Sequence, residues 1–384
     1  MRKALVPDRV LVDGEWLDRT AVVIDGARIA AIVPEAALDG EGAIERERLS
    51  GSLVPGFIDV QVNGGGGVLF NDQPSVEGIA AIAAAHRRFG TTGFLPTLIS
   101  DDLEVVRRGV AAVDAAIEAG VPGVLGIHIE GPFLNVERKG IHSAGKIRAL
   151  DEEGLAVLTS LRRGRTLVTL APECTSPAMI RRLADAGVIV AAGHTDGSYE
   201  DASAAIDAGV RGITHLFNAM SPLGARRPGV VGAALERDEV TCSVIVDGHH
   251  VSATALKLAL RCKPRGRIML VTDAMPPVGT GLSEFQLQDK RILVQGDVLT
   301  DAAGTLAGSN LDMAGAVRNA ASLLALPLPE AVAMASEVPA AFLGLGEVTG
   351  RIAPGLAADL ALIEGDVGVA TTWIAGVGLG TDRY

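Results

Sequence analysis

Aromatic residues make up only 3% of this 384-residue chain, although hydrophobic residues reach 48%. A core built on large rings is therefore not expected, and layers of Ala, Val, Leu and Ile must fill it. Cysteine is scarcer still. Cys174, Cys242 and Cys262 are odd in number and have no C-x-x-C spacing, which argues against a disulfide framework and for a reducing compartment. Nothing beside Cys174 or Cys242 suggests an activated thiolate, so both are expected to be small buried fillers. Basic charge is also short: 34 Lys and Arg against 46 Asp and Glu leave a net charge of −12. That balance speaks against a nucleic-acid or anionic-membrane surface, while leaving room for a small anion held by one or two local cations. The pairs Arg87-Arg88, Arg107-Arg108, Arg162-Arg163 and Arg181-Arg182 read as solvated faces of helices. The opening residues lack the apolar stretch of a signal peptide, and no run approaches the ~20 apolar residues that span a bilayer. A soluble, cytoplasmic protein is the expectation.

What is present is a change of pattern along the chain. In the first fifty residues, Asp13-Gly14 and Asp25-Gly26 separate short apolar runs, a strong hairpin signal. Near the other end, Asp359–Ile363 and Thr371–Ala375 are strand-like around Gly365-Asp366. One small β-sandwich domain assembled from both ends (1–52 plus 352–384) follows. Between them, apolar strands alternate with Ala-rich amphipathic helices: Val54–Val60, Gly93–Thr97, Val124–Glu130, Leu167–Ala171, Val188–Gly193, Gly212–His215, Val240–Val246 and Ile268–Thr272. The helices read as Val76–Phe89, Leu103–Ala119, Ala178–Ala186 and Glu200–Ala208, among others. Continuous apolar strands joined by helices mean a parallel sheet buried on both faces. Eight such units over 53–351 predict an α/β fold, a (β/α)8 TIM barrel, with a hairpin inserted at about 285–305. A doubly wound open sheet is the runner-up, but the G-x-G-x-x-G turn is missing.

In such a barrel, working groups sit at the C-terminal ends of the strands. Strand three ends at Glu130, strand five at His194, strand six at His215 and strand eight at Asp273. Two imidazoles and a carboxylate form a catalytic zinc set with a coordination position left for water, whose pKa falls to about 7. A free carboxylate, Asp273, could take that proton and return it to a leaving group. His128 is expected to pack in the barrel core, and His86 at a helix surface or against the sheet. The run Gly64–Gly67 lacks the Lys-Ser/Thr of a P-loop and is expected to let the chain pass close to the site.

Pro55-Gly56-Phe57-Ile58-Asp59, the His194 and His215 strand ends and the closing Gly350-Arg351-Ile352-Ala353-Pro354-Gly355 resemble the amidohydrolase superfamily. More narrowly, His128-Ile129-Glu130-Gly131-Pro132-Phe133, Gly140-Ile141-His142, His215-Leu216-Phe217-Asn218-Ala219-Met220, Arg226-Arg227-Pro228-Gly229, Asp247-Gly248-His249-His250 and Thr305-Leu306-Ala307-Gly308-Ser309 resemble the N-acetylglucosamine-6-phosphate deacetylase family. The resemblance implies a metal on Glu130, His194 and His215, with Asp273 as acid and base and His142 polarising the acetamide carbonyl. It implies that Ile141, His142, Asn218, Ala219, Leu306, Ala307 and Gly308 line the sugar. Asp247 and His250 would belong to the substrate site, where His250 and Arg226 hold the phosphate, Arg226 reaching across a homodimer interface. Most of the superfamily carries His-x-His after the first strand, for a second metal. Gln61-Val62-Asn63 stands there instead, and amides are poor replacements for imidazole, so one divalent ion per subunit is expected. Zn is favoured, with Fe, Mn or Co able to fit. The implied substrate is a small amino-sugar phosphate, with no nucleic-acid or membrane partner. Alternatives are a deacetylase of another N-acyl amino-sugar phosphate, such as the galactosamine epimer, or a non-catalytic binding protein on the same scaffold.

Overall fold

The structure, a computed structural model, describes residues 2–40 and 44–379. Residues 380–384, which the sequence reading assigns to the small β domain, lie outside them. Eight parallel strands run in sequential order around the centre: Phe57–Val62, Thr91–Ile99, Gly126–Glu130, Arg165–Leu170, Ile189–Ala192, Val210–Ile213, Thr241–Val244 and Ile268–Leu270. Nearly every residue in them is buried, as continuous β-branched and apolar runs require when helices cover one face and neighbouring strands the other. Helices such as Val76–Arg87, Leu103–Glu118, Pro177–Asp185 and Tyr199–Ala208 form the outer layer. Ser75, Ser176 and Ser198 cap three of these at the N-terminus, and Ser198 forms a capping box with Asp201.

The first strand differs from its expected range. The apolar run from Val54 is continuous in sequence but breaks at Gly56. Ser52–Pro55 pairs antiparallel with Leu360–Glu364, while Phe57–Val62 enters the barrel. A Cβ at Gly56 would lie 2.1 Å from the Thr92 hydroxyl, so only glycine lets the chain cross from one sheet to the other. The eighth strand meets the first through a short seam: a bridge between Val62 and Ala274, Asp273 N–H to the Gln61 carbonyl at 3.0 Å and Asn63 N–H to the Ala274 carbonyl at 2.9 Å. Beneath it, buried Asp59 accepts from the Thr272 hydroxyl and the Gln61 N–H.

Both ends of the chain build the small β domain. A four-stranded sheet from the first fifty residues faces a six-stranded sheet that joins Arg9–Val12, Glu15–Asp18 and Ser52–Pro55 to Leu360–Glu364, Gly368–Ile374 and Val377–Gly378. Leu5, Val22 and Ile24 of one sheet pack with Leu53, Leu360, Leu362 and Trp373 of the other. The inserted segment is a three-stranded antiparallel sheet, Glu284–Leu287, Lys290–Gln295 and Val298–Thr300. No helix among the described residues is long and apolar enough to cross a membrane.

Three local readings are corrected. Arg87 is not a solvated helix face: its guanidinium donates to the Thr372 hydroxyl at 3.1 Å and the Val377 carbonyl at 2.7 Å, joining the first helix to the C-terminal sheet. Arg162 and Arg163 lie in a loop, where their backbone N–H groups bind the buried carboxylate of Asp114. Cys174 is exposed, because it sits in a short 3-10 turn at the rim; Cys242 is buried as expected.

Candidate active site

Glu130 is the last residue of the third strand. His194 and His215 each lie two residues past their strands, and Asp273 three past the eighth. His194, His215 and Asp273 adopt φ of 49°, 32° and 53°, a left-handed conformation that costs a non-glycine residue roughly 1–2 kcal/mol. The turn aims each side chain across the mouth of the barrel, and the surroundings hold it there. Buried Ser243 accepts the His215 N–H on its hydroxyl at 2.8 Å, and Ser309 N–H donates to the Asp273 carbonyl at 2.9 Å. Asn135 N–H caps the His194 carbonyl at 3.0 Å. Strain concentrated at the rim and compensated by neighbours marks a working site.

Glu130 Oε1 lies 2.9 Å from His215 Nε2 and 3.2 Å from His194 Nε2, and the two imidazole nitrogens are 3.1 Å apart. The protonation of His194 follows from its other side. Its Nδ1 is 2.8 Å from the Arg138 carbonyl, which can only accept, so Nδ1 carries the hydrogen and Nε2 presents a lone pair. That lone pair faces a carboxylate oxygen. Nδ1 of His215 is buried without a partner, and Nε2 is the nitrogen it turns toward Glu130 and His194. Ligand atoms of Glu130, His194 and His215 all fall within 4.8 Å of one another. Such a donor set fits a divalent cation better than it fits itself. With no cation between them, hydrogens on those nitrogens take its place: burial pushes the Glu130 carboxyl up, but the hydrogen bonds and charges of the two histidines outweigh it and hold it well below the usual carboxylate range, while Glu130 in turn pushes His215 up against its burial.

His142 is close but plays a different part. Its Nδ1 accepts from the Ser100 backbone N–H at 3.2 Å and lies 2.8 Å from the Ser100 hydroxyl. A backbone N–H only donates, so Nδ1 holds the lone pair and Nε2 the hydrogen. Burial, helped by the neighbouring His194, pushes the ring's pKa down to about 3, so it is a neutral donor rather than an imidazolium. Its Nε2, 4.0 Å from Glu130 Oε2, points an N–H into the site where a ligand nitrogen would point a lone pair. Asp273 receives the Asn63 amide at 2.7 Å and the Gln61 amide at 3.2 Å, both on Oδ1. Burial and the nearby Glu130 charge push its carboxyl up to about 6.

These groups share one cavity of about 220 Å3. Ile141, Asn218 and Ala219 line it as expected, with His250, Leu306 and Gly308. Asp247 stands behind His250, its Oδ2 2.6 Å from His250 Nδ1 and its Oδ1 on the His250 N–H at 2.9 Å. That pairing fixes the His250 ring in the cavity lining. Ala307 packs with Ile141, Met275 and Leu299 behind the cavity wall. Arg226 is exposed on a loop outside the cavity of the single chain. His128 is a core residue, buried and bonded to the Thr169 hydroxyl at 2.8 Å. His86 is buried too, its Nε2 2.9 Å from the Gly64 carbonyl, and so holds the Gly64–Gly67 passage near the rim. The sequence reading missed Ile99, Ile245, Met275 and Thr305 in the lining, and Ser100 and Ser243 behind the histidines. Ile99, Ile245 and Met275 sit at or just past strand ends, where an apolar residue carries no signal distinct from core, and Thr305 lies beyond the inserted sheet.

The amidohydrolase family matches residues 52–378. The chain belongs to that family, whose members are metal-dependent hydrolases. Among its relatives, an N-acetylgalactosamine-6-phosphate deacetylase from Shewanella sp. (strain ANA-3) is 42% identical over 369 residues, 96% of this chain and 93% of the relative. An N-acetylglucosamine-6-phosphate deacetylase from Haemophilus influenzae is 34% identical over 380 residues, covering 98% and 99%. The solved structure of N-acetylglucosamine-6-phosphate deacetylase from Pasteurella multocida superposes with a TM-score of 0.95 at 33% identity, over 99% of this chain and all of that one.

Proposed function

We propose that this chain hydrolyses the acetamide of N-acetyl-D-glucosamine 6-phosphate to D-glucosamine 6-phosphate and acetate. One observation carries the reading. A carboxylate and two imidazole nitrogens converge in the cavity that also holds a separate carboxylate, Asp273, and an N–H donor, His142. The relatives' names support the amino-sugar phosphate as the substrate class.

One divalent cation on Glu130, His194 and His215, with zinc favoured and iron, manganese or cobalt able to fit the same donors, would supply Lewis acidity and a water acidified to a pKa of about 7. The chain's own residues do the rest. His142 Nε2–H donates to the acetyl oxygen as it gains negative charge. Asp273 accepts the proton of the attacking water on Oδ2, the carbon–oxygen bond forms, and Asp273 then returns that proton to the departing amine as the carbon–nitrogen bond breaks. His250, oriented by Asp247, and Arg226 from a second subunit bind the phosphate. The protein would act as a cytoplasmic homodimer.

A second reading, hydrolysis of the galactosamine epimer, is favoured by the 42% identity to the Shewanella protein. A coupled deacetylation assay on both 6-phosphates and on unphosphorylated N-acetylglucosamine, with metal content measured on the same sample, decides among them. Turnover of the glucosamine phosphate with one metal per chain is expected. Preference for the epimer would transfer the assignment to it. Equal turnover of the unphosphorylated sugar would remove the phosphate from the reading, and no deacetylation at all would overturn it.

A further inference from the structure

We propose that Gln61 and Asn63 are positioning residues whose side-chain amides take the place of a second cation, bridging Glu130 to Asp273 and leaving one oxygen of Asp273 for proton transfer. The inference rests on the reading of Asp273 as the proton carrier. It begins with a parity argument: residues 61 and 63 are alternate positions at the end of the first barrel strand and so face the same way, into the mouth. Gln61 Nε2 lies 3.1 Å from Glu130 Oε1 and 3.2 Å from Asp273 Oδ1. Asn63 Nδ2 lies 2.7 Å from the same Asp273 oxygen.

Carboxylate oxygens only accept, so the NH2 end of each amide must face them. Gln61 has two N–H bonds on that nitrogen and two carboxylates to serve, one hydrogen for each. A flipped amide would crowd three oxygens together. Both donors end on Oδ1 of Asp273, and among the described residues no hydrogen bond reaches Oδ2. The carboxylate is therefore fixed in rotation by two bonds on one oxygen, while the other stays available to water and leaving group.

The opposite ends of the amides show that this is not ordinary packing. Gln61 and Asn63 are 1% and 0% exposed, yet Gln61 Oε1 and Asn63 Oδ1 have no hydrogen-bond partner. A buried acceptor without a donor costs a fold about 1–3 kcal/mol, so stability alone does not explain either amide. Their N–H ends do explain them. Two carboxylates this close need something between them, and a neutral bridging NH2 supplies it without recruiting a metal, since amides bind transition ions weakly.

The test is Gln61→Glu, which is nearly isosteric and puts a third carboxylate where the bridge was. After equilibration with Zn2+ and dialysis, elemental analysis should rise from one to two zinc ions per chain. In protein carrying a single zinc, kcat should fall about 10- to 100-fold with KM within about twofold, the usual cost of losing an outer partner of a metal site. Added Zn2+ should restore part of that loss, whereas it leaves the parent unchanged. Gln61→Met serves if the glutamate variant does not fold: one zinc, the same kcat loss, and no rescue by metal. Parent-like kcat together with one zinc in Gln61→Glu, or parent-like kcat in Gln61→Met, overturns the proposal. Full activity in an Asp273→Asn enzyme would instead strike the proton-carrier reading, and the zinc count of Gln61→Glu would still report on the bridge separately.

Discussion

Replacing Asp273 by Asn separates proton transfer from everything else the site does. The geometry permits a clean substitution: Oδ1 of the new amide can keep both donors from Gln61 and Asn63, while its NH2 takes the position of Oδ2. Asp273 is not among the three residues that converge on the cation position, so metal content should stay at the parent value. Two hydrogen bonds pass from a charged to a neutral acceptor, which sets the stability change at about 1–2 kcal/mol, a shift of a few degrees in Tm for a chain of this size. On the proposed reaction, what disappears is a base that becomes the acid of the second half-reaction. Loss of such a group costs roughly 10²- to 10⁴-fold, or about 3–5 kcal/mol at ~1.36 kcal/mol per decade. Steady-state kinetics on the 6-phosphate substrate should show kcat and kcat/KM falling together, with KM little changed. The acid side of the pH profile supplies a second readout. The base must be ionised, so the parent's kcat/KM should rise with pH through the range below about 6 and then level, with a bound cation drawing that limb to lower pH. The limb should vanish in Asp273→Asn. A variant with full metal content, parent-like kcat and an unchanged acid limb would refute the assignment.

Three further outcomes are expected. His86 is fully buried, and burial pushes its pKa down to about 4. The unfolded chain then binds more protons than the folded one between about pH 6.5 and 4, so the stability held above that window is lost as pH falls into it. Urea unfolding should find the parent weaker by about 2 kcal/mol at pH 5 than at pH 7 from this group, and His86→Gln should remove that share; an identical pH dependence would count against it. Ser243→Ala strips the acceptor from the buried His215 N–H, and metal-free protein should lose about 1–3 kcal/mol in the same measurement, with unchanged stability as the contrary result. Arg226→Ala should raise KM about tenfold or more with kcat near the parent, since a remote phosphate contact binds substrate and transition state alike, and an unaltered KM would remove Arg226 from the site.

The four ionisable rim residues were legible because parallel β architecture puts function just past the ends of apolar runs, and Glu130, His194, His215 and Asp273 interrupt such runs in register. His142 was reached only through resemblance: it follows no strand, and its partner Ser100 lies 42 residues away. A serine behind a histidine has no spacing to betray it. Gln61 and Asn63 stood out as residues missing from a metal pattern, yet their bonds to Asp273 span 212 and 210 residues and exist only because the barrel closes. The break at Gly56 was hidden for a similar reason. Local hydrophobicity is the same on both sides, and the clash that requires glycine comes from Thr92 in the next strand. Arg87 read as solvated because its partners, Thr372 and Val377, belong to the far end of the chain.

That far end gives the fold a schedule. Ser52–Pro55 finds its antiparallel neighbour only in Leu360–Glu364, and Gln61 meets Asp273 only after the eighth strand exists. At a synthesis rate of roughly 5–20 residues per second, the edge at Ser52–Pro55 waits on the order of 15–60 s on the ribosome for its mate. For the first part of that interval the barrel strands also lack the seam that shuts them, until Asp273 and Ala274 reach Gln61 and Asn63. Asp273 therefore receives its amide partners only after about 270 residues have been made, and the Ser52–Pro55 edge is covered about ninety residues later still.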